Sequence, residues 1–320
     1  MNKKQSHVHL ISSGRYVPKH TLTNNDLMHI VDTSDEWITS RTGIKNRFIA
    51  KDEQVVDMAA KAAQKAIEKA KISKNDIDLV IVASITGDMM TPSIANLVCG
   101  ALDLEHPHVM SFDLNAACTG FNYALETAHA LLETKRFKYA LVIGAEKLSK
   151  IVNYKDRNTC VLFGDGAGAV LLSYDQSCEN IKSHFYNASK PDLNDTLTVK
   201  EVIQMDGKKV YQFAVDAMQK SLDIILKDAE KQISEIDIII PHQANDRIIS
   251  AVAKNMKIDP SKFYVNIANY GNTSAASIPI CLDEYLESHP NKDLTVAMVG
   301  FGGGFTWGSS LISVKGDVNK

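Results

Sequence analysis

Short apolar runs alternate with helical stripes along most of this chain. In NAACTGFNYALETAHALL (115–132) the apolar positions Phe121, Leu125, Ala128 and Leu132 recur at helical spacing and predict an amphipathic or buried helix. VVDMAAKAAQKAIEKAK (55–71) carries Val56, Ala59, Ala63, Ala66 and Ala70 on one face, and AVDAMQKSLDIILKDAEK (214–231) carries Val215, Met218, Leu222, Ile225 and Ala229. The runs YALVIGA (139–145), AGAVLLSY (167–174), LTVAMVGF (294–301) and SSLISVKG (309–316) have the length of buried strands. Residues 183–207 are polar, poorly periodic and contain Pro191, which predicts an irregular insertion over one face.

The pattern repeats. The helix at 55–71 leads into ISKNDIDLVI (72–81), and the helix at 214–231 leads into ISEIDIII (233–240), an offset of 233 minus 72, or 161, close to half of 320. A helix, an Ile-Ser-x-x-Asp turn and an apolar strand thus recur in two halves, 1–174 and 175–320. Alternating helices and apolar strands give an α/β chain with helix-covered sheets, and two such halves packed together make an α/β/α/β/α body.

Composition narrows the chemistry. A formal charge of -3, from 35 basic and 38 acidic residues, supplies no basic field for nucleic acid or a phospholipid surface, so any anionic ligand needs a local patch. Cys99, Cys118, Cys160, Cys178 and Cys281 are widely spaced without a C-x-x-C pair; neither a disulfide framework nor a zinc knuckle is indicated, and a reducing cytoplasm fits. The N-terminus lacks an apolar core of signal-peptide length, and no apolar stretch reaches the roughly 18 residues of a membrane span. His106 and His108 have no accompanying ligand cluster and are not read as a metal site.

Cys118 falls where the helix after it begins, a place at which free N–H groups and the helix dipole favour a thiolate; a small inert buried cysteine is the alternative. PHQAN (241–245) follows the strand DIII and displays His242 at its end, where ligands gather in α/β sheets, although a structural histidine is equally compatible with the pattern. Asn272, in YGNTSAAS (270–277), reads as a turn or cap residue on its own, and FGGGFTWG (301–308) as a tight turn or a set of N–H groups free to approach an oxyanion. FGDGAGA (163–169) lacks the spacing and the following helix of a dinucleotide site and is read as structural.

Taken jointly, DTSDEWITSRTGI (32–44), AACTGF (116–121), DRNT (156–159), FGDGAGA, PHQAN with Arg247, GNTSAAS and GGGFTWGS make the chain resemble, over nearly its full length, the β-ketoacyl-acyl carrier protein synthase III family of thiolase-fold condensing enzymes. The resemblance implies a thiolase-like fold of two duplicated halves. It makes Cys118 the acyl-accepting nucleophile, with His242 and Asn272 holding the second thioester's carbonyl during decarboxylation and the N–H groups of Cys118 and Gly303 forming the oxyanion hole. Trp37 and Arg157 correspond to the pair that sandwiches the adenine of coenzyme A, Arg41 and Arg247 to phosphate contacts, and Thr33, Ala244 and Asn245 to further contacts on the coenzyme A arm. Arg247 and Lys254 would form the patch on which an acidic carrier protein docks. The implied substrates are an acyl-CoA and malonyl-acyl carrier protein, with no metal or redox cofactor; the implied assembly is a cytoplasmic homodimer in which the Thr91 segment reaches the neighbouring acyl pocket.

Several positions depart from the family. Gln212 stands where a lysine is usual, with Lys208 and Lys209 nearby; Asn158 replaces a glycine, Asp246 an apolar residue, and the 183–207 segment is shortened. Thr91 takes the place of an aromatic residue that closes the acyl pocket in acetyl-specific members, so a deeper pocket is expected. These departures keep a specialised paralogue with another acyl donor or acceptor as the alternative. A non-catalytic protein of the same fold would have lost one of Cys118, His242 and Asn272.

Overall fold

The two halves share a core series of strand, helix, strand, helix, helix and two closing strands. The computed structural model describes residues 6–104, 108–177, 182–290 and 292–316; His106 and Cys178 lie outside them. The first half runs β1 (Val8–Tyr16), β2 (Thr21–Thr23), α1 (Asn24–Leu27), α2 (Asp35–Thr42), β3 (Asn46–Phe48), α3 (Val55–Ala70), β4 (Leu79–Ala83), α4 (Ile94–Ala101), β5 (Met110–Leu114), α5 (Gly120–Glu133), β6 (Tyr139–Lys147) and β7 (Asp165–Tyr174). The second runs β8 (Ser183–Ser189), β9 (Leu197–Val199), β10 (Ile203–Met205), α6 (Gly207–Asp228), β11 (Ile238–Pro241), α7 (Asp246–Met256), α8 (Ile267–Tyr270), α9 (Ser277–Ser288), β12 (Leu294–Gly302) and β13 (Thr306–Val314).

The strand order β4-β6-β7-β1 of the first half is echoed as β11-β12-β13-β8 in the second, with the same parallel and antiparallel pairings, and the first half adds β5 in parallel at the edge of β4. A single parallel pair, Leu10 with Val314, joins the two. Strand alternation explains the layers. Leu79, Ile81, Ala140, Val142, Val170 and Leu172 point inward onto α5 and α9, and Ile238, Ile240, Val296, Met298 and Ile312 meet the same helices from the other side. Val80, Val82, Leu141, Ile143 and Leu171 point outward to α3 and α4, whereas Ile239, Ala297, Val299 and Leu311 face α6 and α7. The central strands β4, β6, β7, β11, β12 and β13 are therefore apolar on both faces, as helix-covered sheets require, and the expected five-layer α/β/α/β/α body results.

Three details differ from the sequence expectation. The repeat is offset by 159 residues, not 161. The turns Lys74–Asp76 and Ile233–Glu235 correspond, and after them Asp78 and Asp237 each bond the neighbouring strand through their N–H, to Tyr139 O and Thr295 O, and through their carboxylates. Hydrogen bonding sets this register, and the matching Ile-Ser letters fall two residues out of step. The buried arcs of α3 and α6 are also rotated: Val55, Met58, Ala59, Ala62, Ala63 and Ala66 are buried on α3, and Ala214, Ala217, Met218, Ser221, Leu222 and Ile225 on α6, while Val56, Ala70, Val215 and Ala229 lie at the margins. Small side chains let each helix settle close to its sheet and bury more than one stripe. Finally, 183–207 is not irregular throughout. It supplies β8, half-buried at a sheet edge and hence without a clear apolar alternation, and the β9–β10 hairpin. Among the described residues no helix is long and apolar enough to cross a membrane.

Candidate active site

One cavity of about 1460 Å³ gathers the reactive candidates, among them Cys118, His242, Asn272, Ser274, Phe301 and Gly303. Local sequence explains how each arrives there. Cys118 sits on the 3-10 turn Ala117–Thr119 that leads into α5, and the preceding Ala117 has φ +48, a left-handed conformation unusual for a residue with a side chain. The end of β12 presses against this turn: a Cβ on Gly302 would lie 2.7 Å from Cys118 N, so only glycine fits. Thr306 Oγ1 fastens the glycine turn to the cysteine turn by donating to Ala116 O (2.9 Å), with Gly303 O and Thr119 Oγ1 at 3.1 Å.

His242 follows the last residue of β11, and its N–H donates to Val299 O at 2.8 Å. Ser277 Oγ accepts from Gln243 N (3.4 Å) and is 2.7 Å from His242 Nδ1, an arrangement that suits a neutral imidazole with its proton on Nε2. Burial lowers the His242 pKa to about 3, keeping the ring neutral. Gln243 is structural: its amide donates to Pro241 O and Tyr264 O while its Oε1 accepts from Asn266 and Ile267 N–H. Asn245 caps α7 by accepting from Arg247 N at 2.9 Å.

Asn272 is pinned at its backbone by Leu162 O and by the N–H of Gly164, which gives the 163–169 glycines the structural place expected of them. Its Oδ1 accepts from Ser274 N at 2.9 Å, leaving the amide N–H groups as donors to the cavity. Gly144 on β6 permits the approach of this loop, since a Cβ there would lie 2.2 Å from Ala275 O.

The cysteine sits between opposing influences. Burial pushes the Cys118 thiol up to about 12, a hydrogen bond with Ser274 pulls the other way, and the charge of Glu146 adds to the rise. Cys118 itself is half-buried on the cavity wall, where the helix end favours a thiolate and desolvation opposes it.

Comparison with known proteins fits this geometry. Residues 112–189 match the family described as 3-Oxoacyl-[acyl-carrier-protein (ACP)] synthase III and residues 226–314 its C-terminal counterpart. The β-ketoacyl-[acyl-carrier-protein] synthase III of Acholeplasma laidlawii is 48% identical over 96% of this chain and 98% of its own length. The chain belongs to the 3-oxoacyl-[acyl-carrier-protein] synthase III family. A solved synthase III from Aquifex aeolicus superposes with a TM-score of 0.91 at 44% identity, covering 96% of this chain and 99% of that one. The priming β-ketosynthase of the R1128 polyketide pathway superposes with a TM-score of 0.90 at 28% identity, covering 98% of each.

Other residues singled out by the synthase III resemblance fall around the cavity mouth. Ser34 caps α2 through Trp37 N, Gly43 ends it at φ +78, and Trp37 and Arg41 stand one turn apart on the lining. Arg41 and Arg157 both lie over the Trp37 ring, at 4.9 and 4.8 Å, and Arg157 also donates to Asp32 O at 3.0 Å. Ala244, Asn245 and Arg247 line the same opening, as do Asn158 and Gln212. Lys208 lines it too, whereas Lys209 pairs with Asp206 at 3.1 Å. Thr33 and Lys254 lie outside the lining; the Thr33 hydroxyl is buried without a hydrogen-bond partner, and Lys254 is exposed two turns from Arg247 on α7. Thr91 is exposed and away from this cavity. Among the described residues no group of three His, Cys, Asp or Glu could hold a metal.

Sequence reasoning missed Ser274, Ser277, Thr306 and Glu146. The two serines lay inside GNTSAAS without a role, and Glu146 was signalled only as a charged residue ending an apolar strand.

Proposed function

We propose that this protein condenses an acyl-CoA with malonyl-acyl carrier protein, releasing CO2 and coenzyme A and opening fatty-acid synthesis. The convergence of Cys118, His242 and Asn272 on one cavity carries the reading. Cys118 attacks the acyl thioester, exchanging one thioester for another of similar energy. Malonyl thioester then loses CO2, and the enolate oxygen takes hydrogen bonds from His242 Nε2–H and the Asn272 amide. A neutral imidazole suits this step, because a stronger acid would quench the carbanion. The new carbon–carbon bond forms on the acyl-cysteine carbonyl, whose oxygen is held by the N–H groups of Cys118 and Gly303.

Coenzyme A would enter past Trp37 and Arg157, with Arg157 swinging off the indole to let adenine between them. Arg41 and Arg247 would take the phosphates, and Thr33, Ala244 and Asn245 would touch the arm, giving the orphaned Thr33 hydroxyl a partner. Arg247 and Lys254, on one face of α7, would receive the acidic carrier protein. We further propose a cytoplasmic homodimer with the halves dividing at 174/175. Cys99, Cys118, Cys160 and Cys281 are all free thiols, as suits a reducing compartment.

A specialised paralogue is the second reading, favoured by Asn158 and Gln212 on the cavity wall. A panel of acyl-CoA donors with malonyl-carrier protein or malonyl-CoA, read by product mass, separates the two. Asn272→Ala is expected to gain the acyl mass but to release CO2 about 10² to 10³ times more slowly. Failure of Asn272→Ala to become acylated while folded, or CO2 release at the parent rate, refutes the assigned roles.

A further inference from the structure

Glu146, the penultimate residue of β6, carries a fully buried carboxyl that the reaction above does not use. Its Oε2 accepts from the hydroxyls of Thr86 (2.5 Å) and Ser84 (3.2 Å) and from Ile85 N–H (3.2 Å), and its Oε1 accepts from the Ser274 hydroxyl at 3.1 Å. Thr86 Oγ1 itself accepts from Lys147 N–H and Ser84 Oγ from Thr86 N–H, so these hydroxyl protons are directed to Glu146. Among the described residues no cation neutralises the carboxyl: Lys147 Nζ donates to Glu53 O at 2.7 Å, and Lys150 Nζ to Gly87 O at 2.8 Å beside Asp88. The donors suit a carboxylate, burial without a counter-ion opposes the charge, and the balance raises the group to about 7. Ser274 is the bridge: its hydroxyl donates to Glu146, and it lines the same cavity wall as Cys118.

We propose that Glu146, acting through Ser274, accepts the proton of Cys118 as the sulfur attacks the acyl thioester. The inference rests on Cys118 being the acyl acceptor. The thiol proton passes to Ser274 Oγ while the serine's own proton passes to Glu146 Oε1, and the sulfur electron pair forms the new C–S bond. The carbon–sulfur bond to coenzyme A breaks, and the departing thiolate takes the proton back along the same path, restoring the carboxylate. His242 is poorly placed for this task, because its Nδ1 is occupied by Ser277 and burial disfavours its cation. A buried pocket tolerates one negative charge far better than two, and the transfer keeps the total at one throughout.

Constant charge has a kinetic signature. Once Glu146 is ionised the attack no longer depends on pH, so the wild-type rate should fall below about pH 7 and level off above it. Glu146→Gln removes the acceptor; the thiol must then ionise to solvent, and the rate should rise about tenfold per pH unit between pH 7 and 9. At pH 7 the loss is expected to be about 10² or more.

The experiment measures Cys118 alkylation by iodoacetamide and acyl transfer from acetyl-CoA, both by intact-protein mass spectrometry from pH 6 to 9.5, with Cys118→Ala as background. Ser274→Ala, which leaves the carboxyl in place but breaks the bridge, must reproduce the sloped profile, and it decides the question should Glu146→Gln fail to fold. A folded variant of either kind that keeps the plateau, whether its rate is unchanged or uniformly lowered, overturns the proposal. Wild-type protein that reacts with iodoacetamide on the expected profile but gains no acyl mass from any donor supports the relay and refutes the proposed function instead.

Discussion

Ser277 decides which nitrogen of His242 carries the proton, and no charged group is needed to do so. Its hydroxyl, held by Gln243 N–H, lies 2.7 Å from Nδ1, and on the proposed mechanism it donates there so that Nε2–H meets the substrate oxygen. Ser277→Ala frees the imidazole to change tautomer at the expense of one hydrogen bond, worth about 1 kcal/mol. Decarboxylation of malonyl thioester is expected to slow about fivefold to tenfold, with the acylation of Cys118 unchanged. Labelled CO2 release measured beside acyl loading checks this; equal slowing of both steps contradicts the assignment. Ser274 works the same way on the other side of the cavity, setting the Asn272 amide through its N–H and the Cys118 thiol through its hydroxyl. At this scale short polar side chains next to the reactive groups determine protonation and orientation.

At the scale of elements, the site is a meeting of ends: the turn before α5, the end of β11, the loop before α9 and the turn between β12 and β13. Their approach is limited by backbone contact, which makes the glycines at these crossings specific. Gly302→Ala would place a methyl 2.7 Å from Cys118 N and force the two turns apart. Such overpacking costs about 1–3 kcal/mol, and it displaces the Cys118 N–H proposed above as an oxyanion donor. The variant is expected to melt at a lower temperature and to acylate at least 10² times more slowly; thermal denaturation and acyl loading test it. Native melting with native loading would show that the turn has slack. The α2 and α7 ends form the opening in the same manner, through caps written in Ser34, Gly43 and Asn245.

For the whole molecule, the exposed position of Thr91 acquires a purpose only in the proposed homodimer, where it would reach the partner's acyl pocket. Thr91→Phe should then exclude longer donors selectively, since each methylene denied burial is worth roughly 0.8 kcal/mol, while acetyl transfer persists. Light scattering at micromolar concentration should give twice the chain mass. A monomer with intact activity, or an unchanged donor preference in Thr91→Phe, removes the intersubunit pocket.

The sequence by itself determined what depends on neighbours along the chain. Phe121, Leu125, Ala128 and Leu132 gave the buried face of α5, the apolar runs gave β6, β7, β12 and β13, and the duplicated turn gave two related halves. Cys118, His242 and Asn272 could be singled out because each lies in a contiguous motif, AACTGF, PHQAN or GNTSAAS, and the fold brings the three to one cavity. Tertiary structure decided the rest. The register of the repeat depends on hydrogen bonds from Asp78 and Asp237 to other strands, and the edge strand β8 has little apolar pattern because its pairing with β13 is its main tie. The network of Ser84, Thr86, Glu146 and Ser274 joins residues as far apart as 84 and 274. Its protonation depends on burial that only the packed layers supply, because desolvation is a property of the whole surroundings of a group and not of the residues beside it in the chain.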